Sequence, residues 1–342
     1  MTERYYMFVP MINRKTLLSA FTPVLAFVLL SLSGCKAPQP LGDRNSVIVR
    51  ADPALWQEVD SAVMFTLERR VFTSRPERTF MLTYVASNDT LWQGLRVWRQ
   101  LLILGTLDDP VVRRLVNRDV SPPAIVQTAD VWARGQGVTV LLLPEDGQAE
   151  AVRSLLPELF RQFQARYDEW VIERMYTTGV NDSLLQVLAG FGFTLELPKV
   201  YLYSRQDSLF RFSNPYRQAD TDLLRSVLLT WRDGAVAVTP ESLRAWRESI
   251  GETYYNPAQD ILEEGIRFDG VEVGDFTSLE FRGVWQDRSD FPAAGPFITR
   301  AIVCPEQNRT YYMDAWLFAP GKDKYPYLRQ LEILLDSFRC TT

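Results

Sequence analysis

Hydrophobic positions along the chain follow two periods, one of two residues and one near 3.6, and up to residue 192 the two alternate. Ser46 to Arg50 reads as a short strand. From Pro53 to Arg70, Leu55, Val59, Val63, Met64 and Leu67 fall at helical spacing. Thr79 to Val85 reads as a strand, and Asn88-Asp89 can cap a helix through Leu91, Leu95 and Trp98. Leu101 to Leu104 is a short buried strand, and Asp108 or Asp109 caps a short helix over Pro110 to Leu115. Asp130 to Ala133 and Val138 to Leu143 are expected to pair as strands across Gly135-Gln136-Gly137. The strongest stripe follows: Val152, Leu155, Leu156, Leu159, Phe160, Phe163, Tyr167, Trp170 and Val171 share one helix face. Pro157 either kinks that helix or marks a late start. Asp182 to Leu188 makes a second helix, ended by Gly190-Phe191-Gly192.

From Phe193 the pattern becomes mostly strand-like. Val200 to Tyr203, Leu209 to Phe212 and Leu223 to Trp231 read as strands, the last with a helical alternative. Thr239 caps a helix through Leu243 and Trp246. Thr277 to Trp285, Phe297 to Cys304 and Thr310 to Phe318 form an antiparallel meander, and a helix carrying Leu328, Leu331, Leu334, Leu335 and Phe338 closes the chain. The expected class is α+β: an N-terminal alternating strand/helix layer, a long amphipathic helix, and a C-terminal antiparallel sheet closed by a terminal helix. The expected divisions are a signal segment at 1–34, a tether at 35–45, an N-terminal α/β half at 46–192 and a C-terminal antiparallel half at 193–342.

The beginning of the chain changes the picture more than its composition does. Arg14-Lys15 is a basic start, Leu17 to Leu32 an apolar run, and Leu32-Ser33-Gly34-Cys35 has the form of a bacterial lipobox. Small Ser33 and Gly34 suit a narrow peptidase site, and the Cys35 thiol is the nucleophile that accepts the diacylglyceryl group. The run is too short, and Pro23 too awkward, for an ordinary membrane span. Met11 offers a second start point. Lys36 to Asn45, with Pro38, Pro40 and Gly42, reads as a polar tether reaching about 30 Å when extended.

The 342 residues include no histidine, which excludes Ser-His-Asp and Cys-His machinery and any His-ligated metal. Net charge is −5; Arg4, Arg14 and Lys15 against Glu3 give the first 34 residues +2 and so the rest −7. An acidic body of this kind argues against nucleic acid as a partner. Gly190-Phe191-Gly192 closes a helix instead of opening one, so it is no dinucleotide loop, and no acidic run has EF-hand spacing. No cofactor and no metal are implied. Carboxylate pairs occur at Asp108-Asp109, Glu263-Glu264 and Asp287 with Asp290, but adjacency in sequence does not produce the two-sided geometry of a glycosidase.

Most of the nine tryptophans sit on apolar stripes. The exception is the polar segment after Trp285, where Trp285, Asp287, Arg288, Asp290 and Phe291 form the candidate binding surface. Ala319-Pro320-Gly321-Lys322-Asp323-Lys324 reads as a turn before a helix start, with two lysines as an alternative anion contact. With Cys35 acylated, Cys304 and Cys340 remain as an even pair in an oxidising compartment; a bridge pinning the last helix to the sheet and two unbridged thiols both stay open.

Phe281-Arg282-Gly283-Val284-Trp285, Gly295-Pro296-Phe297, the stretch from Phe318 to Lys324, and Tyr327-Leu328-Arg329-Gln330-Leu331-Glu332 resemble an uncharacterised lipoprotein family of Bacteroidetes-type bacteria, a domain-of-unknown-function family. Asp130-Val131-Trp132-Ala133, Phe191-Gly192, Leu197-Pro198-Lys199 and the lipobox are similar too. Cys304 and Cys340 lie outside that pattern. The resemblance implies lineage, a lipid anchor and an envelope location, with the outer membrane favoured over the inner and the body in the periplasm or at the surface. It supplies no activity and no catalytic residues. The first functional expectation is a non-catalytic envelope lipoprotein that touches the membrane through the lipid on Cys35 and binds another envelope protein or a glycan. The alternatives are a carboxylate-dependent hydrolase of envelope or glycan substrates and a purely structural protein.

Overall fold

A computed structural model describes residues 37–341 except 219 and 220; the signal segment, the lipobox and Cys35 lie outside the described residues. The first layer is a five-stranded sheet built from β1 (Ser46–Ala51), β4 (Met81–Ala86), β5 (Gln100–Gly105), β6 (Ala124–Ala129) and β7 (Gly137–Leu142), ordered β4-β1-β5-β7-β6. All neighbours are parallel except β6 and β7. β2 (Arg70–Phe72) and β3 (Pro76–Arg78) form a separate small hairpin. Strands covered on both faces need apolar side chains at successive positions, and β1, β5 and β7 supply them. Val47, Val49, Leu102, Leu104 and Leu141 meet α1 (Pro53–Leu67) and α4 (Gln148–Met175). Ile48, Leu101, Ile103, Val138 and Val140 face the other way, towards α2 (Trp92–Leu95) and α3 (Pro110–Leu115).

Several local expectations change here. The expected strand at Asp130 to Ala133 is a turn: Asp130 has φ +57°, which stops the strand, and its carboxylate accepts the Gly135 N–H. The partner of β7 is instead β6, register Val126↔Val140. The helix expected through Trp98 shrinks to Trp92–Leu95, with Gly94 in its middle weakening it. Pro157 lies well inside α4, which starts at Gln148, so it marks no late start. The described part of the tether is not a free spacer. Pro38 O accepts the Arg134 N–H at 2.9 Å, and Leu41 bridges Trp98 through Leu41 N to Val97 O at 3.1 Å and Arg99 N to Leu41 O at 2.8 Å.

After α5 (Asp182–Ala189) and β8 (Phe193–Thr194), the chain builds a seven-stranded antiparallel sheet from β9 (Leu202–Gln206), β10 (Leu209–Gln218), β11 (Thr221–Asp233), β12 (Gln259–Val273), β13 (Phe276–Asp287), β14 (Ala294–Cys304) and β15 (Arg309–Phe318). Its order is β12-β13-β14-β15-β11-β10-β9, so the segment with a helical alternative is a strand. β12 was not expected: it is a polar edge strand whose register slips between Leu262 and Arg267, where Glu263 and Glu264 stand exposed. One face of the sheet, with Leu228, Phe281, Trp285, Phe297 and Tyr312, packs on α6 (Pro240–Tyr254), whose start is fixed by the Thr239–Ser242 capping box. The other face, with Ile298, Ile302, Met313 and Ala315, packs on α5 and α7 (Tyr325–Asp336). Cys304 and Cys340 are bridged, with Cα atoms 6.3 Å apart; Cys340 belongs to β16 (Arg339–Cys340), which pairs with β8.

Helix α7 joins the two layers. Tyr325 sits in the core of the first sheet and stacks on Tyr167, centroids 5.8 Å apart, while Leu328, Leu331, Leu334 and Leu335 sit in the core of the second. An alternating chain of charges follows the same path: Asp336 to Arg300, Arg300 to Glu280, Glu280 to Arg282, Arg282 to Glu332, Glu332 to Arg329, and Arg329 to Asp168 on α4. The acidic and basic groups are paired in turn, as largely buried charges must be.

Candidate functional site

The segment singled out after Trp285 divides on inspection. Trp285 is only 3% exposed; it lies in the core beside Trp316 and donates its indole N–H to Leu317 O at 3.3 Å, so it belongs to packing and not to a surface. Asp287 organises the connection between β13 and β14. Its Oδ1 accepts from Ser289 Oγ at 2.6 Å, Ser289 N at 3.2 Å and Ala293 N at 3.1 Å. Burial pushes its carboxyl upward, but those bonds outweigh burial and hold it below the usual range. Arg288 is exposed and paired with Asp260 at 2.6 Å and Glu252 at 2.6 Å. Asp290 is exposed, and Phe291 stands 92% exposed at the loop tip. Of the five candidates, Asp290 and Phe291 are free at the surface.

A more distinctive chamber lies where the two layers meet. The last turn of α4 brings Arg174 and Met175; Thr177 and Thr178 follow it; Tyr201 enters from the segment before β9; Asn214 and Arg225 come from β10 and β11; Lys322 comes from the approach to α7 and Tyr327 from its first turn. The space measures about 490 Å³, within the range of small-molecule sites. Its wall carries three cations, Arg174, Arg225 and Lys322, and no carboxylate. Arg225 donates to Gln330, yet its Nε has no partner, and neither does the Tyr201 hydroxyl, on a side chain only 5% exposed. Burial pushes the Tyr201 phenol up to about 12, so it stays protonated and able to donate. Unpartnered buried polar atoms are uncommon in native proteins, and both belong to residues that line this chamber.

A second, wider cleft of about 820 Å³ adjoins this chamber through Arg174, Tyr327 and Gln330. Arg44, Arg99 and Trp170 line it. The Arg44 guanidinium lies 4.3 Å from the Trp170 ring and that of Arg174 5.6 Å from it. Burial, with Arg99 and Arg174 nearby, pushes the Arg44 pKa down to about 10, against the opposing pull of Glu173.

The chamber was not visible as a motif because its residues come from five separate places in the chain. Lys322 is the member that the sequence marked as an anion contact, as the alternative in the turn before the last helix. Lys324 does something else: its backbone N–H, with that of Tyr325, is capped by Glu77. Among the described residues no cluster of histidine, cysteine, aspartate and glutamate is arranged to hold a metal, and no helix is long and apolar enough to cross a membrane.

Residues 181–337, from α5 through α7, match the family model described as a domain of unknown function (DUF4837). No curated protein matches the chain. Among solved structures it is similar to the Ran-binding protein Mog1p of Saccharomyces cerevisiae, at 13% identity and TM-score 0.32 over 45% of this chain and 92% of that one. A Mog1 mutant gives 12% identity and TM-score 0.32 over 44% and 92%. LpqN of Mycobacterium tuberculosis, described as involved in cell envelope biogenesis, gives 10% and 0.29 over 44% and 83%. At these TM-scores the likenesses carry no argument about ligand or activity. The matched segment, 181–337, supplies most of the residues that line the chamber.

Proposed function

We propose that the protein is a lipid-anchored envelope lipoprotein of the Bacteroidetes-type family, held through Cys35, whose body is a non-catalytic binding module for a small anionic ligand. The observation that carries the binding reading is the acid-free chamber with Arg174, Arg225, Lys322 and two unpartnered donors, the Tyr201 hydroxyl and Arg225 Nε. In a body of net negative charge, a concave wall with only cations selects anions. The apolar side chains of Met175, Leu223 and Tyr327 beside them suit the carbon frame of a carboxylated or phosphorylated sugar.

The hydrolase alternative lacks comparable support. Asp109 caps α3 and pairs with Arg50 at 2.5 Å; Glu263 pairs with Arg244; Asp287 is used by its own loop. A second contact surface, for another envelope protein, is favoured by Phe291, whose ring is held out on a loop fixed by Asp287. The test of the main reading is calorimetric titration with galacturonate and glucose 6-phosphate. Binding by the native protein that weakens tenfold or more in Lys322→Ala and Tyr201→Phe supports it. Equal binding by native protein and both variants, or binding of neutral glucose just as well, overturns it.

A further inference from the structure

We propose that the face bearing Pro38 to Arg44 is a membrane-contact surface, on which Arg44, Arg99, Arg134 and Arg174 engage the phosphates of anionic headgroups in the bilayer. This inference rests on the anchoring at Cys35 for its geometry. Only Lys36 and Ala37 separate Cys35 from Pro38, three Cα-to-Cα steps, and at Pro38 the chain is already hydrogen-bonded to the body through Arg134 N. Three such steps reach about 10 Å when fully extended. A chain acylated at Cys35 therefore cannot stand far off the membrane, and whatever surrounds Pro38 is pressed to within about one headgroup layer of it.

Around Pro38 arginines cluster, interspersed with the carboxylates of Asp43, Asp130, Glu169 and Glu173. Arg134 is exposed beside it. Arg99 braces the docked segment, donating from Nε to Gly42 O at 3.3 Å and from Nη2 to Pro40 O at 3.4 Å. Arg44 follows, laid on Trp170, and Arg174 approaches the same ring. Among the described residues none of these four guanidinium groups lies within 4.0 Å of a carboxylate, although Asp43 and Glu173 are close by. Arg288, Arg244 and Arg329, by contrast, are taken up by ion pairs. Burial first, and then the neighbouring Arg99 and Arg174, lower the Arg44 pKa. Leu41, 55% exposed, adds an apolar contact at the same edge. Basic groups at a surface already held by an acyl chain strengthen attachment by a second signal and fix the orientation of the body.

The experiment uses the chain from residue 35 onward with Cys35→Ser, so that no acyl chain contributes to binding. Co-sedimentation with phosphatidylethanolamine vesicles is compared with and without phosphatidylglycerol. The expected result is binding that requires phosphatidylglycerol, declines with salt, and weakens about fivefold for each of Arg44→Gln and Arg134→Gln. Both substitutions lie outside the chamber, so anionic-sugar binding remains intact in them. Absence of phosphatidylglycerol-dependent binding, or binding unchanged in the double variant, overturns the proposal. Displacement by millimolar inorganic phosphate at constant ionic strength also overturns it, since that marks a free-phosphate site. Mass spectrometry of the mature N-terminus tests the anchor separately: an unacylated Cys35 beside intact vesicle binding removes the anchoring reading and leaves this surface supported.

Discussion

The carboxylate of Glu77 accepts the backbone N–H of Tyr325 at 2.7 Å across 248 residues of chain. The same carboxylate takes the Lys324 N–H at 3.0 and 2.8 Å and the Thr73 hydroxyl at 3.0 Å. A helix normally finds its N-cap in the residue just before it, but Lys324 offers α7 no side-chain acceptor. The hairpin of β2 and β3 supplies one instead, with an anion at the positive end of the helix dipole. The first layer thus fixes where the second layer's closing helix begins.

Glu77→Ala should therefore destabilise the protein by about 2–3 kcal/mol, because it leaves two helix N–H groups without an acceptor. Glu77→Gln keeps an acceptor and loses only charge, so it should cost about 1 kcal/mol. Urea denaturation of the two variants checks the order. Equal, negligible losses would show that water replaces the carboxylate.

Glu332 gives the stability a defined pH dependence. Burial pushes its carboxyl up, but the charges of Arg282 and Arg329 outweigh burial and hold it below the ordinary glutamate range. A group whose folded pKa is depressed contributes stability above its unfolded pKa, about 4.3, and loses it as pH falls through the folded value. The native protein should lose stability as pH drops below about 4.5, whereas Glu332→Gln should already be weakened at neutral pH and show a shallower fall. Melting temperatures between pH 3 and pH 7 test this; parallel curves would remove Glu332 from the account.

The Cys304–Cys340 bridge closes a loop of 36 residues around α7. Replacing both cysteines by serine should cost about 2–4 kcal/mol if the bond acts chiefly on the unfolded chain. A reductant should lower the melting temperature of the native protein to that of the double variant and leave the variant unchanged. Two thiols reactive in the unreduced native protein would show that the bond is not formed in solution.

In the loop between β13 and β14, Asp287 and Phe291 should respond differently. Asp287 holds three hydrogen bonds, so Asp287→Ala should cost about 1 kcal/mol and raise local hydrogen exchange over 288–293. Phe291 is almost fully exposed, and Phe291→Ala should leave thermal stability unchanged. Under the second contact reading, Phe291→Ala is therefore the clean probe of partner capture, and Trp285, a core residue, is not.

The alternations Val47-Ile48-Val49 and Leu101-Leu102-Ile103 announced buried strands because both faces of the first sheet are covered. Thr239 announced a helix start because that cap is local. β12 stayed hidden because an edge strand carries charges, here Glu263, Glu264 and Arg267, where a central strand carries valine or leucine. The Glu77 cap and the chamber stayed hidden for another reason. Their partners are brought together only when the two layers close, and no spacing in the chain encodes Tyr201 beside Arg225 and Lys322.

Arg247 and Asp314 make the strongest test of how this core tolerates charge. Both are fully buried, with Arg247 Nε 2.8 Å from Asp314 Oδ1. Asp314 also accepts from Tyr255 Oη at 2.7 Å and Thr299 Oγ1 at 2.5 Å, and Arg247 Nη2 donates to Gln259 at 2.7 Å. Even so, Arg247 Nε is not aligned as a hydrogen-bond donor and Nη1 has no acceptor. Burial raises the Asp314 pKa, and Arg247 with the hydroxyl donors offsets only part of that. The pair is thus a costly one that each partner makes tolerable for the other. Arg247→Met alone strands a buried carboxylate and should cost about 3–5 kcal/mol. Asp314→Asn alone strands a buried guanidinium, keeps an acceptor for only one of Tyr255 and Thr299, and should cost a similar amount. The double variant Arg247→Met/Asp314→Asn should be clearly more stable than the sum of the two losses implies, with a coupling of about 2 kcal/mol or more in urea denaturation. Strictly additive losses would show that the two charges are stabilised by their surroundings and not by each other.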